Sequence, residues 1–250
     1  MSKRKSARNL LLFLNDKNIV SQYLESDFSK KFDNILIVTK SNCFQIIEKN
    51  IFQVGNSIDD YSTLLRVIEQ KQINVTDILH LWSLEKYGST DSSEMERGIY
   101  SIYFLIKKLM EEKLIHPEMN ILYVYPSEKD DSYPFYAGVN GFIKTITKEN
   151  PHLCFKSLEI EASNFYKEDY YVNNIIQEFG DISSNIEIKY EQTDRHVKHL
   201  DSVYLEEVEN LTYNGLYVIT GGLGESDIDL LSIYFLNRNV RFYLLVVPSL

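Results

Sequence analysis

Glycines set between a β-strand and a helix let backbone N–H groups close on a phosphate, and one stretch of this sequence has them: Val218-Ile219-Thr220-Gly221-Gly222-Leu223-Gly224. In a dinucleotide site the first glycine makes the tight turn and the second lets the backbone approach the pyrophosphate. The third lets helix and strand pack closely, and the helix N-terminus supplies the anion-binding N–H groups. Candidate phosphate-contacting residues are therefore Thr220, Gly221, Gly222 and Gly224. The register Gly222-Leu223-Gly224-Glu225-Ser226-Asp227 puts an aspartate at the third glycine position. Glu225, Asp227 and Asp229 stabilise a helix start through its dipole. The same carboxylates compete with a bound pyrophosphate, so the expected reading is a strand–turn–helix with a degenerate cofactor turn.

Other groupings carry less chemistry. His196 and His199 lie in a segment that reads as extended, where their spacing puts them on opposite faces, so no metal pair is expected. His80, inside the apolar run DILHLW, reads as a hydrogen-bonded core histidine. Glu128, Lys129, Asp130 and Asp131 follow a strand at the edge where α/β folds bind ligands and read as a solvated loop. No GxSxG elbow, HExxH, P-loop lysine or SxxK is present. No catalytic residue and no metal ligand is assigned.

The elements that position these residues follow from periodicity. Apolar runs at 10–14, 35–39, 77–82, 120–125, 154–160, 216–220 and 242–247 alternate with segments whose apolar residues recur three, four or seven apart. That alternation predicts an α/β fold with a doubly wound, mostly parallel, Rossmann-like sheet and helices on both faces. It weakens between about 183 and 213 and restarts at Leu216. The predicted organisation is a truncated Rossmann-like domain over 1–210 and the opening β-α-β of a second unit over 211–250. Ser92 or Ser93 is expected to cap the helix near Glu94.

Composition narrows the class. The 250 residues are 44% hydrophobic, enough for a large buried core, and a formal charge of −10 disfavours nucleic acid. Cys43 and Cys154 have no metal or disulfide spacing and read as buried or half-buried thiols in a reducing compartment. The apolar run Leu10 to Leu14 is too short for a signal core, and no stretch is long enough for a membrane span. A cytoplasmic location with no membrane partner is expected.

The order of features resembles the ketoreductase domain of modular polyketide synthases, within the short-chain dehydrogenase/reductase superfamily. The matching residues are ILHLWSL at 78–84, the helix ending KKLMEE, GFIKTITKENPHL at 141–153 and VITGGLG at 218–224. The resemblance implies a structural half over residues 1 to about 210 and the first β-α-β of an NADPH-binding catalytic half after it. It also implies an arginine for the adenosine 2′-phosphate, which Leu245 to Leu250 do not offer. The family's catalytic serine and tyrosine, with their lysine and asparagine partners, are expected beyond Leu250. The resemblance thus implies a structural, catalytically silent ketoreductase part, or pseudo-ketoreductase, that packs on a catalytic partner domain. Its partners would be a catalytic subdomain or other synthase domains, with acyl carrier protein involved indirectly. Alternatives are the leading fragment of an active NADPH-dependent β-ketoacyl reductase and a stand-alone docking module. On all three readings the chain alone is inactive and binds no cofactor, and NADPH enters only with a catalytic half.

Overall fold

The computed structural model describes residues 7–84, 91–117, 119–128, 131–132, 134–161, 168–181, 183, 185–191, 194–202, 216–220 and 241–245. The chain divides into two compact units, Met1–His199 and Leu200–Leu250.

In the first unit the strands are β1 (Asn9–Phe13), β2 (Asn34–Lys40), β3 (Gln45–Glu48), β4 (Ile51–Val54), β5 (Asp77–His80), β6 (Asn120–Glu128), β7 (Asp131–Ser132), β8 (Cys154–Glu161), β9 (Glu187–Glu191) and β10 (Asp194–Val197). Among the described residues they form one sheet in the order β10-β9-β8-β6-β5-β1-β2-β4-β3, with β7 folding back on β6. Every pair from β4 to β9 along that order is parallel, and only the outermost strands β3 and β10 and the short β7 pair antiparallel. This is the mostly parallel α/β sheet that the alternation predicts. All five residues of β1 are buried because both faces of the sheet centre are covered.

The cover comes from α1 (Lys17–Glu25), α2 (Ile58–Gln70), α3 (Asp91–Met95), α4 (Ser101–Glu111), α5 (Pro134–Ala137), α6 (Val139–Glu149) and α7 (Glu168–Gly180). One core joins α2, α4 and α6 to Leu11, Phe13, Val38, Ile78 and Tyr123 of the strands. The other joins Tyr23 of α1 and Val172, Ile175 and Phe179 of α7 to Leu10, Leu12, Leu158 and Ile188. The two sets of strand residues alternate, as the two-residue period of a strand requires.

Chain direction across the sheet reverses between β1 and β5, which makes this a doubly wound fold with a switch point there. One connection breaks the handedness rule. The crossovers β5→β6 and β6→β8 carry α4 and α6 on one face, and β8→β9 moves the same way across the sheet with α7 on the other. Its hand is therefore opposite to the hand that such crossovers almost always take. No helix of this connection covers the α6-side face of β9 and β10.

Helix ends are set locally. Ser57 Oγ accepts a hydrogen bond from the Asp59 N–H at 3.2 Å and starts α2, and Asp60 in the same turn accepts from the Gly55 N–H at 2.9 Å. A Cβ on Gly55 would meet the Asn42 carbonyl oxygen at 2.4 Å, so that turn requires glycine. α3 begins at Asp91, so Ser92 and Ser93 fall within its first turn rather than before it. Cys43 is exposed and Cys154 half-buried, which corrects the expectation of two buried thiols for Cys43. Cys43 precedes β3, whose four residues are all exposed, so no second layer covers it there.

In the second unit β11 (Leu216–Thr220) pairs in parallel with β12 (Arg241–Leu245), Thr220 opposite Leu245. Parallel neighbours need a crossover rather than a hairpin, as the predicted β-α-β opening requires. No helix among the described residues is long and apolar enough to cross a membrane.

Candidate functional site

The crevice where a doubly wound sheet takes its ligand lies at the carboxyl ends of β1 and β5. Asn15, Asp16 and Trp82 stand at those strand ends here. β1 continues into Leu14-Asn15-Asp16, a turn without glycine, so three β-carbons stand where a pyrophosphate would need bare backbone. The Asp16 carboxylate accepts a hydrogen bond from the Ile19 N–H at 3.4 Å, which puts a fixed anion on the N-terminus of α1. Asn15 Oδ1 accepts from the Lys40 N–H at 2.6 Å and ties the turn to the end of β2. Beyond His80 the chain leaves the sheet in a 3₁₀ turn, Trp82–Leu84. The Trp82 indole is fully buried, lies edge-on to Phe13 with ring centres 5.1 Å apart, and donates from Nε1 to the Val38 carbonyl at 3.3 Å. One side chain thus reaches from β5 across the end of β1 to β2.

His80 lies behind this plug. It is fully buried, stacked on Phe13 with centroids 5.0 Å apart, and its Nε2 lies 2.9 Å from Ser101 Oγ. Burial lowers its pKa to about 3, so the imidazole is neutral and structural. Ser101 Oγ also lies 2.8 Å from the Arg97 carbonyl and 2.9 Å from that of Gly98. Its one proton goes to a carbonyl, so it accepts from an N–H at His80 Nε2. Those carbonyls belong to a π-helical turn, Glu96–Tyr100, in which a Cβ on Gly98 would stand 2.9 Å from Tyr136 Cδ1. The glycine inside an otherwise apolar-periodic helix is the sequence signal for that turn.

Thr220 closes β11, and Gly221, Gly222 and Gly224, with Glu225, Asp227 and Asp229, lie outside the described residues. His196 lies on β10 and His199 beyond it. Among the described residues no group of three or more His, Cys, Asp and Glu side chains could hold a metal ion. Glu128 ends β6 and Asp131 begins β7, so the acidic stretch is a hairpin connection, with Lys129 and Asp130 outside the described residues.

A polar cavity of about 610 Å³ opens between α6 and the face of β8, β9 and β10. Sequence reasoning did not find it. The buried Tyr125 hydroxyl donates to Glu159 Oε2 and accepts from Asn140 Nδ2, both at 2.9 Å. Burial, reinforced by the Glu159 charge, pushes the phenol well above its ordinary range. Tyr125 therefore stays protonated and positions Glu159 rather than acting as a base.

The sequence profile of the beta-ketoacyl synthase-like N-terminal family matches residues 8–178. The chain belongs to that family. This beta-ketoacyl synthase-like N-terminal chain is similar in fold to the crystal structure of an N-terminal ketoreductase from the macrolactin assembly line, with a TM-score of 0.72 and 21% identity over 96% of this chain and 48% of that one. It is similar also to the adenylation, ketoreductase and pseudo Asub multidomain structure of a keto acid-selecting NRPS module, with a TM-score of 0.71 and 19% identity over 97% of this chain and 21% of that one. The first ketoreductase of the tylosin PKS follows, with a TM-score of 0.55 and 10% identity over 88% of this chain and 44% of that one. The fold is thus that of polyketide synthase ketoreductases, and the chain spans about half the length of those it matches. No curated protein matches the chain in sequence.

Proposed function

We propose that this chain is a structural, catalytically silent ketoreductase part of a polyketide synthase, which packs on and stabilises a catalytic partner subdomain. The observation that carries this reading is the switch point: the turn after β1 has no glycine, Asp16 places a carboxylate on the N-terminus of α1, and Trp82 lies across the end of β1. A surface for the partner is at hand. On α4 and the turn before it Tyr100, Tyr103 and Met110 are 42%, 40% and 40% exposed, and the Tyr103 ring extends the band to Phe142 of α6. Residues 1–210 would be the structural subdomain and 211–250 the start of a catalytic-type one. Acyl carrier protein would be engaged only through the assembled synthase. The free thiols Cys43 and Cys154 suit a reducing cytoplasm.

Titrating the full chain into NADPH, followed by nicotinamide fluorescence, tests the reading. No saturable change is expected at micromolar chain, and micromolar binding overturns it.

The parallel pairing of β11 with β12 favours a second reading, in which the chain is the N-terminal part of an active NADPH-dependent β-ketoacyl reductase. Thr220, Gly221, Gly222 and Gly224 would then line the cofactor in the completed enzyme. Mixing the chain with a catalytic half separates the two, because only the second reading expects ketone-dependent NADPH oxidation to quicken in the Asp227→Gly variant.

A further inference from the structure

Ion pairs help to fasten the edge hairpin β9–β10. On its α7 side two apolar side chains, Ile188 and Tyr190, enter the core. Beyond the backbone ladder to β8, its side-chain contacts are mostly ion pairs. The Arg195 guanidinium meets the buried Glu178 carboxylate of α7, with Nη2–Oε2 at 3.0 Å, and Asp181 at 3.3 Å. The Tyr190 hydroxyl donates to the same Glu178 at 2.8 Å.

On the α6 side the opposite-handed crossover leaves no helix over β9 and β10, and the 610 Å³ polar cavity lies between them and α6. Glu187 holds Lys144 of α6 and, at 3.2 Å, Lys198, which follows β10. Lys189 of β9 reaches Glu159 of β8 at 3.4 Å. The β10 residues Asp194, Arg195 and His196 are exposed and Val197 half-buried.

From this we propose that β9 and β10 form a detachable edge, clasped by ion pairs, that opens as one unit while the rest of the sheet stays folded. Three features carry the inference. Little apolar surface is lost on opening, since only Ile188 and Tyr190 leave the core. Glu178 regains water in the open state, which offsets the loss of Arg195. The two strands share one ladder, Asp194 opposite Glu191 through Val197 opposite Ile188, so they leave together. Opening removes the partner strand from Ser157 to Ile160 of β8 and bares its backbone groups, which is the edge an added strand requires. The inference does not depend on the ketoreductase reading.

Amide hydrogen exchange on the full chain tests it. Arg195→Met leaves Glu178 buried without its cation in the closed state only. All β9 and β10 amides should then exchange faster by one common factor, at least about tenfold, with β1 and β5 amides unchanged. Lys144→Gln, at a half-exposed position, should give the same pattern at about two- to fivefold; it serves as the reading if the arginine variant does not fold. Acceleration confined to one strand overturns the proposal. So does an acceleration that β1 and β5 share, or no acceleration in either variant.

Discussion

The centre and the edge of the same parallel sheet are held by different forces. At the centre β1 lies between β2 and β5 with helices over both faces, and every residue of its strand is buried. Apolar packing dominates, and the polar ties at the switch point include a buried indole donating to a backbone carbonyl and the Asn15 amide oxygen accepting from the Lys40 N–H. At the edge, β8 to β10 carry Glu159, Glu187, Lys189 and Arg195, and a cavity replaces the helix that would cover them. A doubly wound sheet offers a ligand its central crevice, and here the fully buried Trp82 lies across it. Among the described residues, side-chain packing holds the centre, and charged side chains line the cavity at the β8–β10 edge.

The largest break of this contrast is Trp82→Ala. Truncating a fully buried tryptophan leaves a cavity, and such losses run to about 3–5 kcal/mol. The urea midpoint should fall accordingly, with little dependence on salt. If the variant retained wild-type stability, Trp82 would be a loose cover and not a structural plug.

His80 gives the next effect. Its folded pKa, about 3, lies below the usual 6.5, so the neutral form is favoured in the fold. The stability this provides is fully present above pH 6.5 and declines as pH falls towards 3, at no more than about 1.4 kcal/mol per pH unit. His80→Gln should be less stable at pH 7 and should show a shallower acid limb between pH 6 and 4 in chemical unfolding. An identical acid slope in both proteins would place the titrating group elsewhere.

The central strands were legible because their apolar runs are long and both faces are buried: Leu10–Phe13, Ile35–Thr39 and Asn120–Tyr125 all fall on strands. The edge was less so. β3 and β4 are four residues each, and Gln45, Glu48 and Gln53 break their pattern, so no period reveals that β4 is a parallel member of the sheet. The run at 77–82 reads as one strand, yet it turns after His80 because Trp82 must reach back to Val38. That turn closes the switch point, and it depends on a contact 44 residues distant, which spacing does not encode. The same holds for the face chosen by α7: amphipathic spacing says that a helix packs, not on which side. The glycine turn was the most legible motif of all, and of its candidate phosphate-contacting residues only Thr220 lies within the described residues.

The smallest effect sharpens the contrast most cleanly. Lys198 is 64% exposed on its side chain and shares Glu187 with Lys144. An exposed pair of this kind contributes about 0.2–1 kcal/mol. Lys198→Ala should cost no more than that in dilute buffer and nothing measurable near 1 M salt, where the screening length is about 3 Å. Run beside Trp82→Ala across the same salt series, the two variants should diverge, with one cost constant and the other vanishing. A Lys198→Ala cost that persisted in high salt would mean that the edge is held by packing of the lysine stem, and the division between an apolar centre and an ionic edge would fail at that point.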